Sequence, residues 1–130
     1  MRGTFRKAVA VMVMTGMAFL AAPAFSKPGE SWRILFNHQS DNDGTVVFRI
    51  APVGGSPTDV EVKIPAKTSE NKVADLVSAA IKATLGSDNY RVGVDDGEQV
   101  VVKTRGKTAK FELTMVSTTL TGLEISIKRR

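Results

Sequence analysis

The 130-residue chain contains no cysteine and a single histidine. The first absence excludes a disulfide framework, a zinc–thiolate or iron–sulfur centre and a cysteine nucleophile. The second leaves His38 as the sole imidazole, too little for a transition-metal site built from histidine and thiolate. Long apolar runs are also missing, save one near the N-terminus. Residues 8–22, AVAVMVMTGMAFLAA, follow Arg2, Arg6 and Lys7 and precede Pro23. A basic start, an apolar run and small residues after it form the pattern of a secretory signal peptide. The run is shorter than the roughly 20 residues that span a bilayer, which disfavours an uncleaved anchor. Cleavage after Ala24 or after Ser26 satisfies the small-x-small rule, and the second places the helix breaker Pro23 better. With no cysteine after the run, a lipid-anchored lipoprotein is excluded. The expectation is a secreted or periplasmic protein, with residues 1–26 removed and no transmembrane segment afterwards. Export without cysteine fits a bacterial periplasm.

The full chain carries 18 Lys+Arg against 13 Asp+Glu, a net charge of +5. Three of those bases, and no acid, lie in residues 1–26, so residues 27–130 keep 15 bases and 13 acids, net +2. The bases are concentrated late. Residues 27–98 hold 8 bases and 11 acids, whereas residues 99–130 hold 7 bases and 2 acids. Arg105, Lys107 and Lys110 fall around one turn and form the candidate binding site, suited to an anionic envelope surface or an acidic protein. No aromatic residues interleave with them as a stacking surface would require, so a nucleic-acid partner is not expected. The competing reading is a solvated edge whose charges keep strands from pairing with other chains.

Residues 27–130 have the length of one domain. Residues 27–31 read as an irregular lead-in broken by Pro28 and Gly29. Alternation of apolar and polar residues then marks strands at 32–36, 45–51 and 58–64. Between the second and third, PVGGSP is a strong turn signal, so residues 45–64 read as a hairpin. Residues 69–85, SENKVADLVSAAIKATL, are the one convincing helix. Val73, Leu76, Val77, Ala80, Ile81 and Leu85 fall on one stripe, and Leu76→Asp is expected to be among the most damaging changes. Thr68 or Ser69 caps its start and Gly86 suits its end. Four more strands follow: Tyr90, Val92 and Val94 face inward in the first, Val100 to Val102 fill the second, Phe111, Leu113 and Met115 face inward in the third, and Leu123, Ile125 and Ile127 mark the last. Asp95-Asp96-Gly97 supplies the turn between the first two. The fold class is α+β: one helix packed on one face of a mostly antiparallel sheet of about six to seven strands.

Within this frame, DVEVKIPAKTSENKVADLVSAAIKATL, YRVGVDDGEQVVVKTRG and FELTMV, spanning about residues 58–116, resemble the β-α-β-β insertion modules of flagellins and phage tail-sheath proteins. The resemblance lies in a strand leading to a Thr/Ser-x-x-x-Val-Ala helix, then a valine-rich strand, a Gly-containing turn and another strand. It implies a surface or assembly role, including self-association, and it carries no active-site residues.

Catalytic constellations find little support. His38, Ser40 and Asp41 are neighbours in one loop, whereas a triad draws its members from separated segments. Asp41-Asn42-Asp43-Gly44 fails the EF-hand frame, with Gln39 and Ile50 where acids belong; Asp41 and Asp43 remain candidates for a looser calcium site, against the commoner reading as turn chemistry. Adjacent Asp95 and Asp96 point apart on a strand end, and no pair of acids is spaced for glycoside hydrolysis. Gly54-Gly55 opens no helix and is no phosphate loop. The chain reads as a small exported non-enzymatic protein without cofactor or metal, binding or assembling with a protein partner or envelope surface. The alternative is a periplasmic ligand-binding or inhibitory domain using the sheet face opposite the helix.

Overall fold

The computed structural model describes residues 27–130, so the expected signal peptide lies outside the described residues. The elements follow in the order β1 (Ser31–Asn37), β2 (Gly44–Pro52), β3 (Thr58–Ile64), α1 (Glu70–Leu85), β4 (Tyr90–Asp95), β5 (Gln99–Thr104), β6 (Phe111–Thr118) and β7 (Glu124–Arg129). The α+β class, the single helix and the antiparallel pairing agree with the sequence reading. The strands divide into two sheets, ordered β4-β5-β1-β7 and β3-β2-β6, and every ladder is antiparallel.

Two of the expected hairpins form, β2–β3 and β4–β5. The second turns through Asp96 and Gly97, both at positive φ (53° and 80°), a conformation that aspartate tolerates and glycine favours. The other sequence neighbours do not pair. β1 lies between β5 and β7, and β6 crosses to β2, so the chain passes between sheets after β1, after β3 by way of α1, and after β5 and β6. β6 and β7, the facing edges of the two sheets, are in contact, while α1 lies against β3 on one side and β4, β5 and β1 on the other. The helix thus closes the second seam between the sheets, and all elements contribute to one apolar core.

Alternation decides what enters that core. Trp32, Ile34 and Phe36 of β1, Val46, Phe48 and Ile50 of β2, and Val60, Val62 and Ile64 of β3 are buried, as the period-two pattern dictates. Phe111 joins the sheets. Its ring meets Tyr90 edge-on at 5.3 Å between centroids, and its carbonyl accepts the Trp32 indole N–H at 2.7 Å. Phe111 also exchanges two 2.9 Å backbone bonds with Gly29, so the lead-in is held at that point rather than irregular. Val94 and Met115 depart from the expected pattern and are exposed. Val94 lies beside the β4–β5 turn, in an edge strand. Met115 precedes a bulge where Phe48 pairs with Met115 but Val47 with Ser117, which leaves Val116 unpaired and also exposed.

Ser69 is the helix cap, its side chain accepting the Lys72 N–H, and the Gly86 N–H (φ 75°) donates to the Lys82 carbonyl. The buried stripe is Val73, Ala74, Val77, Ser78 and Ile81, with Leu76, Ala80 and Leu85 at its rim. It is rotated from the expected stripe towards Ala74 and Ser78, small residues that let the helix approach two sheets at once. Leu76 is only partly buried at the edge of the core, whereas Val73, Val77 and Ile81 are fully buried.

Candidate functional site

The loop between β1 and β2 holds the residues that the sequence offers for chemistry, and several of them are hydrogen-bonded to neighbouring loops. Ser40 is fully buried. Its hydroxyl donates to the Pro65 carbonyl (2.6 Å) and accepts the Thr68 N–H (3.0 Å). Its backbone N–H and carbonyl bond Thr68 O and Lys67 N. The Thr68 hydroxyl donates to the same Pro65 carbonyl (2.6 Å). Ser40 thus ties the β1–β2 loop to the β3–α1 connection. The His38 imidazole lies elsewhere, with Nε2 3.8 Å from Glu124 and the ring solvent-exposed. His38 sits at φ 70°, and its N–H donates to Glu70 Oε1 at 3.0 Å.

Asp41, Asn42 and Asp43 clamp the neighbouring loops. Asp41 N–H donates to the Thr121 carbonyl, Asn42 Oδ1 accepts from Thr121 N–H, and Asp43 Oδ1 accepts from Ala66 N–H. Gly122, at φ 83°, leaves the space that the Asp41 carboxylate fills. Among the described residues, no group of three or more His, Cys, Asp or Glu side chains is placed to hold a metal ion.

Arg105, Lys107 and Lys110 are all exposed in the connection from β5 to β6. The backbone bonds of Arg105 and Lys110 run to different sheets. Arg105 continues the four-stranded sheet, its N–H donating to Asn89 O and its Nε to Tyr90 O (3.3 Å). Lys110 is already on the other sheet, its carbonyl accepting the Val53 N–H. Lys107 stands between them at the turn.

The sequence reading missed a larger basic surface, one that exists only once the strand order is known. Because Trp32, Ile34, Tyr90, Val92, Val100 and Val102 point into the core, the alternate residues of the same strands point outward. Register sets them in rows across β4-β5-β1-β7. One row holds Gly93, Val101, Arg33 and Lys128; the next holds Arg91, Lys103 and Ser31, and Arg130 N–H bonds Ser31 O. Arg105 lies one rung further, beside Asn89. A third row, Asp95, Gln99, Leu35 and Ser126, brings one acid, and Glu124 stands at the far corner opposite Asn37. Five bases (Arg33, Arg91, Lys103, Lys128, Arg130) against two acids give this face a charge of +3, more than the +2 of residues 27–130 together.

Arg33 is the centre of the face. Nη1 donates to Gln99 Oε1 at 3.2 Å, while Nε is shut from solvent without a hydrogen-bond partner. A guanidinium held at that desolvation cost adds charge to the surface and little stability to the fold. Leu35 and Val101 are half-buried beside it and give the face an apolar component. The outer face of the other sheet differs. There Asp59, Glu61 and Glu112 outnumber Arg49 and Lys63, and Arg49 is neutralised by a two-pronged pair with Asp59 (2.7 and 3.0 Å). That hydrogen bond, opposed by desolvation, raises the Arg49 pKa further above its ordinary value. No helix among the described residues is long and apolar enough to cross a membrane. No protein-family model matches the chain, and no curated protein matches its sequence.

Proposed function

We propose that this is a small exported, non-enzymatic protein that attaches to an anionic envelope surface through the outer face of the β4-β5-β1-β7 sheet. The observation that carries the reading is the gathering of five cations on that one face, with Leu35 and Val101 among them, while the opposite sheet face is slightly acidic. A polarised molecule of low net charge orients itself at a negative surface, which each nearby Lys or Arg favours until salt screens it. The seven-strand scaffold and helix serve to hold the face in register, and the residues of the β1–β2 loop are engaged in joining loops. The resemblance of residues 58–116 to surface and assembly modules points the same way.

The test is co-sedimentation of the protein with vesicles of phosphatidylglycerol or of phosphatidylcholine over a salt series. Binding to the anionic vesicles alone is expected, with release as the screening length contracts from ~10 Å at 0.1 M salt to ~3 Å at 1 M. Equal binding to both vesicles, or binding indifferent to salt, would refute the reading. Size-exclusion chromatography across a concentration series tests the assembly role separately.

A further inference from the structure

We infer that the basic face contains a defined site for a phosphomonoester headgroup of a lipid surface, a deepening that rests on the attachment reading above. A hollow of about 420 Å³ opens on the face between Arg91, Lys103 and Arg130, over a floor of Gly93 and Val101, with Val94 and Asp95 at its border. Its depth comes from Gly93. A side chain there would stand in the row between Arg91 and Asp95 beside Val101, and a Cβ at this position meets nothing within 4 Å, so the space above the strand is open. Gly93 sits in an edge strand without a positive φ to require it. Glycine weakens a strand interior, and in such a place it marks close approach by something else.

The three bases fix the chemistry. Arg91 and Lys103 are register partners, and Arg130 reaches the same hollow from the far side of β1. Offset by Asp95, the rim carries about +2, which matches the −1.5 to −2 charge of a phosphomonoester rather than the single charge of a phosphodiester. Arginine adds two-pronged recognition of phosphate oxygens. The volume exceeds that of a phosphate alone and has room for the glycerol or sugar that carries it. The lipid source follows from the surroundings. Arg33 and Lys128 continue the positive charge in the plane beyond the hollow, and Leu35 adds apolar area there, an arrangement that meets an extended anionic surface better than a free solute.

The experiment compares wild type, Gly93→Leu and Arg91→Gln on vesicles carrying phosphatidic acid or phosphatidylglycerol, matched in surface potential, with glycerol phosphate as the free competitor. Gly93→Leu fills the hollow and leaves every charge of the face in place. Wild type is expected to prefer phosphatidic acid by about tenfold, the order of one added charge-assisted contact. Gly93→Leu should lose that preference while keeping its binding to phosphatidylglycerol, which also shows that it has folded; Arg91→Gln should weaken both, phosphatidic acid more. Equal binding of wild type to the two lipids overturns the site but leaves the attachment reading standing. Failure to bind either lipid overturns both. Glycerol phosphate binding as tightly as the phosphatidic acid vesicle would overturn the lipid source.

Discussion

Removing the Ser40 hydroxyl isolates the joint on which the two loops beside α1 depend. In Ser40→Ala, the Thr68 N–H loses its acceptor at 3.0 Å and the Pro65 carbonyl loses one of its two donors. The carbonyl keeps the Thr68 hydroxyl, so the main consequence is a buried amide without a partner, worth about 1–3 kcal/mol. For a domain of this size, each kcal/mol lowers Tm by roughly 4–8 °C. Urea unfolding should therefore show a lower midpoint at unchanged slope, since the surface exposed on unfolding stays the same. Thr68→Val sharpens the argument, because it removes the second donor to Pro65. The double variant should lose more than the sum of the singles, by about 0.5 kcal/mol or more, as expected for groups sharing one acceptor. A loss below about 0.5 kcal/mol in Ser40→Ala would refute the assignment of Ser40 as a structural tie. So would strict additivity of the pair.

Three further outcomes follow from the packing. Val77→Ala should cost about 2 kcal/mol by chemical denaturation and Leu76→Ala clearly less, because Val77 is fully buried and Leu76 lies at the rim of the core. Gly122→Ala should destabilise by roughly 1 kcal/mol or more, since alanine at φ 83° is strained and its Cβ would run into the Asp41 carboxylate; a neutral result by the same assay would contradict the clamp. Burial raises the Tyr90 phenol above its ordinary value of 10. A raised acid contributes its full stability below the unfolded-state value and loses it as pH climbs through the folded one. The urea midpoint should therefore hold up to about pH 9 and fall above 10, with Tyr90→Phe flattening that fall.

Much of the fold was legible because its elements carry local signals. Period-two alternation marks Val60, Val62 and Ile64 as plainly as PVGGSP marks the turn before them, and Ser69 and Gly86 bracket the helix. The division into two sheets was not legible, because nothing local tells β1 to pair with β5 and β7, 64–72 and 87–97 residues away in register. The same blindness hid the basic face. Arg33, Arg91, Lys103 and Lys128 are ordinary outward positions on four strands, and only pairing sets them side by side. Sequence proximity drew attention to Arg105, Lys107 and Lys110, which follow one another along the chain, whereas the face is assembled by strand pairing. The helix stripe was legible in part: Val73, Val77 and Ile81 are buried as expected, while Ala74 and Ser78 join them because the direction of burial depends on the sheets that α1 bridges.

The most direct measurement sets two pairs of bases against each other. Arg33→Gln with Lys128→Gln removes two charges from the sheet face, and Lys107→Gln with Lys110→Gln removes two from the turn, so net charge changes equally. Affinity for phosphatidylglycerol vesicles at low salt is the readout. A Lys or Arg close to an anionic membrane is worth roughly fivefold in binding, so the face pair should lose about 30-fold and the turn pair less than about threefold. Equal losses, or a larger loss from the turn, would contradict the claim that the outer face of the four-stranded sheet is the surface by which this protein attaches.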